Sequence, residues 1–112
     1  MLFLVEMDHL KSLAPPTPEA GKDSVERIIF PTLERAEQLI SEKKILAGGP
    51  VVGSVALRFI VESDSTEDLD SLLTSLPLWT VAETRVTSLI TFSERRDHVQ
   101  SLLAKLEARA KS

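Results

Sequence analysis

Two short segments, residues 1–8 and 51–62, carry apolar side chains at odd and even positions alike. That pattern restricts the fold more than any other feature of the 112-residue chain. Successive residues of a β-strand point to opposite faces of a sheet, so a strand with one wet face alternates apolar with polar residues. In the first segment Phe3, Val5 and Met7 fall on one side, and Leu2 and Leu4 on the other. In the second, Val55, Leu57, Phe59 and Val61 share one side, while Ala56 and Ile60 flank Arg58 on the other. Both faces of the sheet are therefore expected to be dry. Leaving several such side chains wet would forfeit about 1.5–3 kcal/mol each.

The stretches between these strands read as helices. Thr17-Pro18-Glu19 supplies a capping hydroxyl, a first-turn proline and a carboxylate at the positive end of a helix dipole. Val25, Ile28, Ile29, Leu33, Ala36, Leu39 and Ile40 then keep the three-four spacing of one apolar face. Pro31 interrupts this run, which predicts a kinked helix over 18–43. Residues 9–16 read as a loop ending in two prolines. Ile45-Leu46 opens a second strand before a Gly48-Gly49 turn or bulge, and 51–62 is the third strand. Ser65 to Asp68 caps a short helix with Leu69, Leu72, Leu73 and Leu76 in its stripe, stopped by Pro77. Residues 82–92 form the last strand, and Ser93-Glu94 caps a final helix bearing Val99, Leu102, Leu103 and Leu106.

The resulting order, β-α-β-β-α-β plus a terminal helix, is an α+β, ferredoxin-like pattern: an antiparallel sheet with two helices on one face. The chain is read as one domain, with a core at 1–92 and a helical extension at 93–112. Split βαβ crossovers share a hand, so both longer helices cover the same face. The other face requires the terminal helix or a second subunit, and pairing with a second copy is preferred because apolar patches of this kind mark interfaces.

Composition narrows the function. A net charge of −4, with Lys and Arg scattered among carboxylates, leaves no basic footprint for nucleic acid. The absence of Cys excludes disulfides and thiolate chemistry. His9 and His98 lie in no ligand-spaced motif, so no metal site is expected. The opening Met1-Leu2-Phe3-Leu4-Val5 lacks a basic leader and is broken by Glu6 and Asp8, so no membrane span and a cytoplasmic location are expected.

Met1 to Met7 resembles the opening of the muconolactone isomerase family. A stronger match follows: Ser65, Glu67, Leu69, Leu73, Leu76-Pro77-Leu78 and the aromatic Trp79 sit at that family's spacing. Val86 and Leu89 follow in register, and Gly53 matches a glycine just before the third strand. The resemblance covers about residues 1–92. It implies the dimeric α+β barrel, in which two ferredoxin-like units pair through their sheets as a homodimer or larger homo-oligomer. It also implies cofactor-independent movement of a double bond within a small lactone by proton transfer. The chain departs from the family in places. Ile45 to Pro50 stands where the family has a Trp-, His- and Arg-rich segment. Glu6 replaces a basic residue, and Thr80-Val81 replaces Pro-Tyr.

Proton abstraction next to a carbonyl needs a base and a donor that stabilises the enolate. Glu6 on the first strand is the candidate base, and Arg58 and Arg85 on the neighbouring strands are candidates to hold a carboxylate or enolate. The plainer reading makes these three a seam ion pair serving assembly. His9, placed at a loop mouth, is a second catalytic candidate against simple solvation. Trp79 walls a ligand cavity or anchors packing. Gly48-Gly49, followed by Pro50, is a poor phosphate loop. Glu94 to Asp97 reads as a solvated turn, and His98 has no role. A haem or flavin monooxygenase of this fold is disfavoured because no His is placed as an axial ligand. The leading expectation is a cofactor-independent isomerase or a binder of a small carboxylate or lactone, with a pocket between sheet and helices. The alternative is a non-catalytic oligomeric protein of the same barrel type.

Overall fold

The computed structural model describes residues 1–10 and 17–111. Most of the expected loop at 9–16 therefore lies outside the described residues. The elements run β1 (Leu2–His9), α1 (Pro18–Ser24), a π-helical turn (Val25–Ile29), α2 (Phe30–Ser41), β2 (Ile45–Pro50), β3 (Ala56–Glu62) and α3 (Thr66–Thr74). A 3₁₀ turn (Pro77–Val81), β4 (Ala82–Leu89) and α4 (Phe92–Lys111) complete the chain. The four strands form one sheet in the order β2-β3-β1-β4, with every described pairing antiparallel. This is the expected ferredoxin-like arrangement.

The first helical stretch begins as its sequence dictates: Thr17 Oγ1 accepts the Ala20 N–H at 3.2 Å, with Pro18 in the first turn. The expected kink takes a specific form. Pro31 has no N–H to give the turn before it, and its ring would press on the carbonyl four residues back. The helix widens there instead, and the Phe30 N–H reaches the Val25 carbonyl five residues earlier. The helix also stops earlier than its pattern suggests, at Ser41. Lys43 adopts φ 62°, while its N–H bonds the Ile40 carbonyl and the Lys44 N–H bonds the Leu39 carbonyl, both at 2.9 Å. That is a Schellman stop with lysine where glycine is usual.

Four further boundaries differ from expectation. The third strand starts at Ala56, because Val51 to Val55 make the hairpin loop. The Val51 N–H bonds the Ala56 carbonyl at 2.9 Å, and Gly53 turns with φ 76°. The second strand continues through both glycines to Pro50, after a register shift between Ile45 and Ala47. The last strand ends at Leu89, and the cap of α4 is Thr91 rather than Ser93. Thr91 Oγ1 accepts the Glu94 N–H at 3.0 Å, and Glu94 Oε1 accepts the Thr91 N–H at 3.2 Å, closing a capping box.

The core lies between the sheet and α2–α3. Phe3, Val5 and Met7 of β1 and Leu57, Phe59 and Val61 of β3 pack with Leu39, Leu69, Leu72, Leu73 and Leu76. Thr32 is buried on α2, where its Oγ1 accepts the Leu78 N–H at 2.9 Å and ties that helix to the 3₁₀ turn. Among the described residues nothing of the chain's own covers the opposite sheet face. α4 does not do so, since its residues are exposed throughout. The radius of gyration is 19.5 Å, against about 13 Å for a compact chain of this length, because α4 projects from the body. Among the described residues no helix is long and apolar enough to cross a membrane.

Two backbone positions generate tests. A Cβ on Gly48 (φ 120°) would overlap the Arg58 carbonyl oxygen, whereas one on Gly49 meets nothing within 4 Å. Gly48→Ala is expected to cost about 2–4 kcal/mol in chemical denaturation, combining positive-φ strain with backbone overlap. Gly49→Ala should cost under about 1 kcal/mol. Equal costs would mean that β2 does not approach β3 this closely. Lys43→Gly should stabilise by about 0.5–1 kcal/mol by removing left-handed strain from a non-glycine residue, and a loss of stability would contradict the observed stop.

Candidate functional site

The uncovered face is divided along its length. Residues directly opposite in an antiparallel pair share a face, so the register places Leu2, Leu4, Glu6 and Asp8 of β1 together with Glu62, Ile60, Arg58 and Ala56 of β3. Leu89, Thr87, Arg85 and Glu83 of β4 stand on the other flank. Leu2, Leu4, Ile60 and Leu89 form an apolar end. The other end is ionic, which corrects the expectation of a face that is dry throughout.

Across the middle of the sheet Gly49, Arg58, Glu6 and Arg85 stand in one row from β2 to β4. The expected convergence of Glu6 with the two arginines is observed. Arg58 Nε lies 3.4 Å from Glu6 Oε1, and Arg85 Nε lies 3.7 Å from Glu6 Oε2. A fourth member escaped the sequence reading: Asp8 meets Arg58 Nη2 at 3.0 Å and Arg85 Nη2 at 3.7 Å. The signal that could have found it is the two-residue spacing of Glu6 and Asp8, which puts both carboxylates on one face of a strand. Two guanidiniums and two carboxylates thus balance each other.

The two arginines are held differently. Arg58 also donates to the Leu57 carbonyl at 2.9 Å and to the Met7 carbonyl at 3.5 Å, so it is fixed in place. Arg85 is 60% exposed, and its two ion pairs are both long. It is the cation an incoming anion can engage with least disturbance. The absent side chain of Gly49 leaves open space beside Arg58.

His9 and Trp79 are not part of this row. His9 is the final residue of β1 rather than a loop residue, opposite Ala82, on the strand side that Phe3, Val5 and Met7 share. Trp79 lies in the 3₁₀ turn and is partly exposed. The expected space between sheet and helices is present, but its lining is different. A cavity of 270 Å³ between α2 and β2 is lined by Leu33, Ile40, Ile45, Leu57 and Phe59 among others, with Glu37 as the one charged residue of its lining. A neighbouring one of 160 Å³ is also predominantly apolar. Among the described residues no group of His, Asp and Glu could hold a metal ion.

Comparison with known proteins bears on this arrangement. The muconolactone delta-isomerase family profile matches residues 1–95, which is the whole sheet and its helices together with the first turn of α4. No curated protein sequence matches. Among solved structures, the chain is similar to muconolactone isomerase, with 24% identity and a TM-score of 0.66 over 81% of this chain and 90% of that one. It is also similar to 5-chloro-2-hydroxyhydroquinone dehydrochlorinase from Burkholderia phenoliruptrix AC1100, solved in complex with 2,5-dihydroxybenzoquinone. That match has 20% identity and a TM-score of 0.60, covering 84% of this chain and 98% of that one. At these identities the structural likenesses establish the fold, and the family match extends over most of the chain. The chain belongs to the muconolactone delta-isomerase family.

Proposed function

We propose that the protein is a cofactor-independent isomerase of a small unsaturated lactone or carboxylate, working at the Glu6–Arg58–Arg85 row once a second copy covers that face. The observation that carries this reading is the row itself: a carboxylate held between a fixed and a loosely held guanidinium, on a chain of isomerase family. A substrate carboxylate would engage Arg85 and loosen it from Glu6. Glu6 would take the proton from the carbon next to the carbonyl, and Arg58 would stabilise the enolate oxygen. Returning the proton at a more distant carbon moves the double bond with no net oxidation or reduction. Burial by a second sheet would strengthen each of these interactions by excluding water. His9 and Trp79 are retained as flanking residues without an assigned step. The location is proposed to be cytoplasmic.

One observation favours a second reading. The four charges already satisfy one another, and neither cavity between sheet and helices has a lining that includes them. A saturated, neutral network is what a seam between copies requires, because burying unpaired charge is costly. In that reading the protein is an oligomer of the same fold without chemistry.

The readings separate by assay. Wild-type protein should isomerise muconolactone or a related unsaturated lactone, and Glu6→Gln should lose about 10²–10⁴-fold in rate. A fully active Glu6→Gln variant removes Glu6 as the base, and an inactive wild type favours the seam. For the seam, a double-mutant cycle of Glu6→Gln with Arg58→Gln should give a coupling above about 1 kcal/mol when measured on the assembly, beyond what an exposed pair supplies. Leu4→Asp should release single chains in size-exclusion chromatography; an unchanged assembly would count against sheet pairing under either reading.

A further inference from the structure

We propose that α4 of one copy seats in the apolar groove between α2 and β2 of a second copy, as an exchanged arm. α4 is twenty residues long and exposed along its whole described length, whereas most helical stability in proteins comes from packing an apolar face against a partner. Val99, Leu102, Leu103 and Leu106 form a half-exposed stripe along it, and Phe92 at its start is 98% exposed. All but the first turn lies beyond the family match, so this arm is an addition to the shared fold.

Charge selects the occupant. α4 carries five cations, Arg95, Arg96, Lys105, Arg109 and Lys111, against Glu94, Asp97 and Glu107, a net of +2. With a total of −4, the rest of the chain therefore carries −6. Two such helices repel each other, whereas a helix and the body of another copy attract. The groove offers matching chemistry. It is lined by Leu33, Ile40, Ile45, Pro50 and Leu57, with Glu37 on its wall, and the neighbouring cavity shares Leu33, Pro50 and Leu57 and extends it. Neither Glu37 nor Glu34, one turn earlier, meets a cation among the described residues. At the rise of an ordinary helix, the wall from Ile29 to Ile40 spans about 16 Å, and the stripe from Val99 to Leu106 about 10 Å. The stripe fits within the wall.

A copy cannot fill its own groove with α4 placed as it is. β2 and β4 are opposite edges of the sheet, about 14 Å apart at ordinary strand spacing. Only Ile90 and Thr91 separate β4 from α4, three Cα steps with a reach of at most about 11 Å, and α4 is exposed along its whole length from there. The seat is therefore on another chain.

The chain has no Cys, which permits a direct test. In full-length protein carrying Ile40→Cys and Leu103→Cys, mild oxidation should give disulfide-linked dimers or longer ladders on a non-reducing gel. Each single variant should stay unlinked. Glu37→Lys added to the pair, or about 1 M salt, which shortens the screening length to about 3 Å, should lower the yield several-fold. Linkage in the Leu103→Cys variant alone would show that α4 pairs with α4 and overturn the proposal. A disulfide without a change in mass would show folding back within one chain and overturn it equally. So would absence of any link in the double variant, and binding of that unlinked protein to anionic vesicles would then assign the arm to a membrane surface.

Discussion

The rest of the structure depends on β1 having two sides with different obligations. Its odd residues, Phe3, Val5 and Met7, are buried under the helices. Its even residues, Leu2, Leu4, Glu6 and Asp8, lie on the opposite face, away from α2 and α3. As the central strand between β3 and β4, it sets the register of both flanks. An apolar end that prefers burial and an ionic end that tolerates it only when neutralised are thereby placed on one surface.

The neutrality of that ionic end links assembly to chemistry. Exposed ion pairs contribute little, about 0–1 kcal/mol each. Covering them with a second sheet raises both their mutual attraction and the cost of removing them from water. A network in which each carboxylate meets two guanidiniums can be covered without stranding a charge. The same network leaves Arg85 open to an anion under the proposed function, since both of its ion pairs among the described residues are long. A face built for a second copy and a face built for a small carboxylate thus need the same residues.

Much of the fold was legible because its signals are local. Thr17-Pro18, Ser65 and the leucine stripe of α3 announce themselves, and Ser65 Oγ accepts the Asp68 N–H at 3.1 Å as expected. What was not legible depended on distant partners or on backbone angles. Val51 to Val55 looks like strand because its valines are β-branched, yet Gly53 turns the chain. Lys43 ends a helix in a conformation its side chain does not advertise. Thr91 and Ser93 are both capping hydroxyls, and only the reach of Glu94 decides between them. In the site, Glu6, Arg58 and Arg85 followed from strand order. The separation of His9 from them followed from strand parity, which becomes visible only once β1 extends to its ninth residue.

The sheet face bearing Leu2, Leu4 and Ile60 is proposed to be covered in solution by a second copy. Hydroxyl-radical footprinting of the wild-type protein across a dilution series tests this directly, with Val52 as the exposed reference. Leu4 and Ile60 should react as slowly as the buried Phe3 and Val61 at high concentration and become reactive together on dilution. Reactivity of Leu4 and Ile60 that is high and independent of concentration would mean that no second copy covers this face.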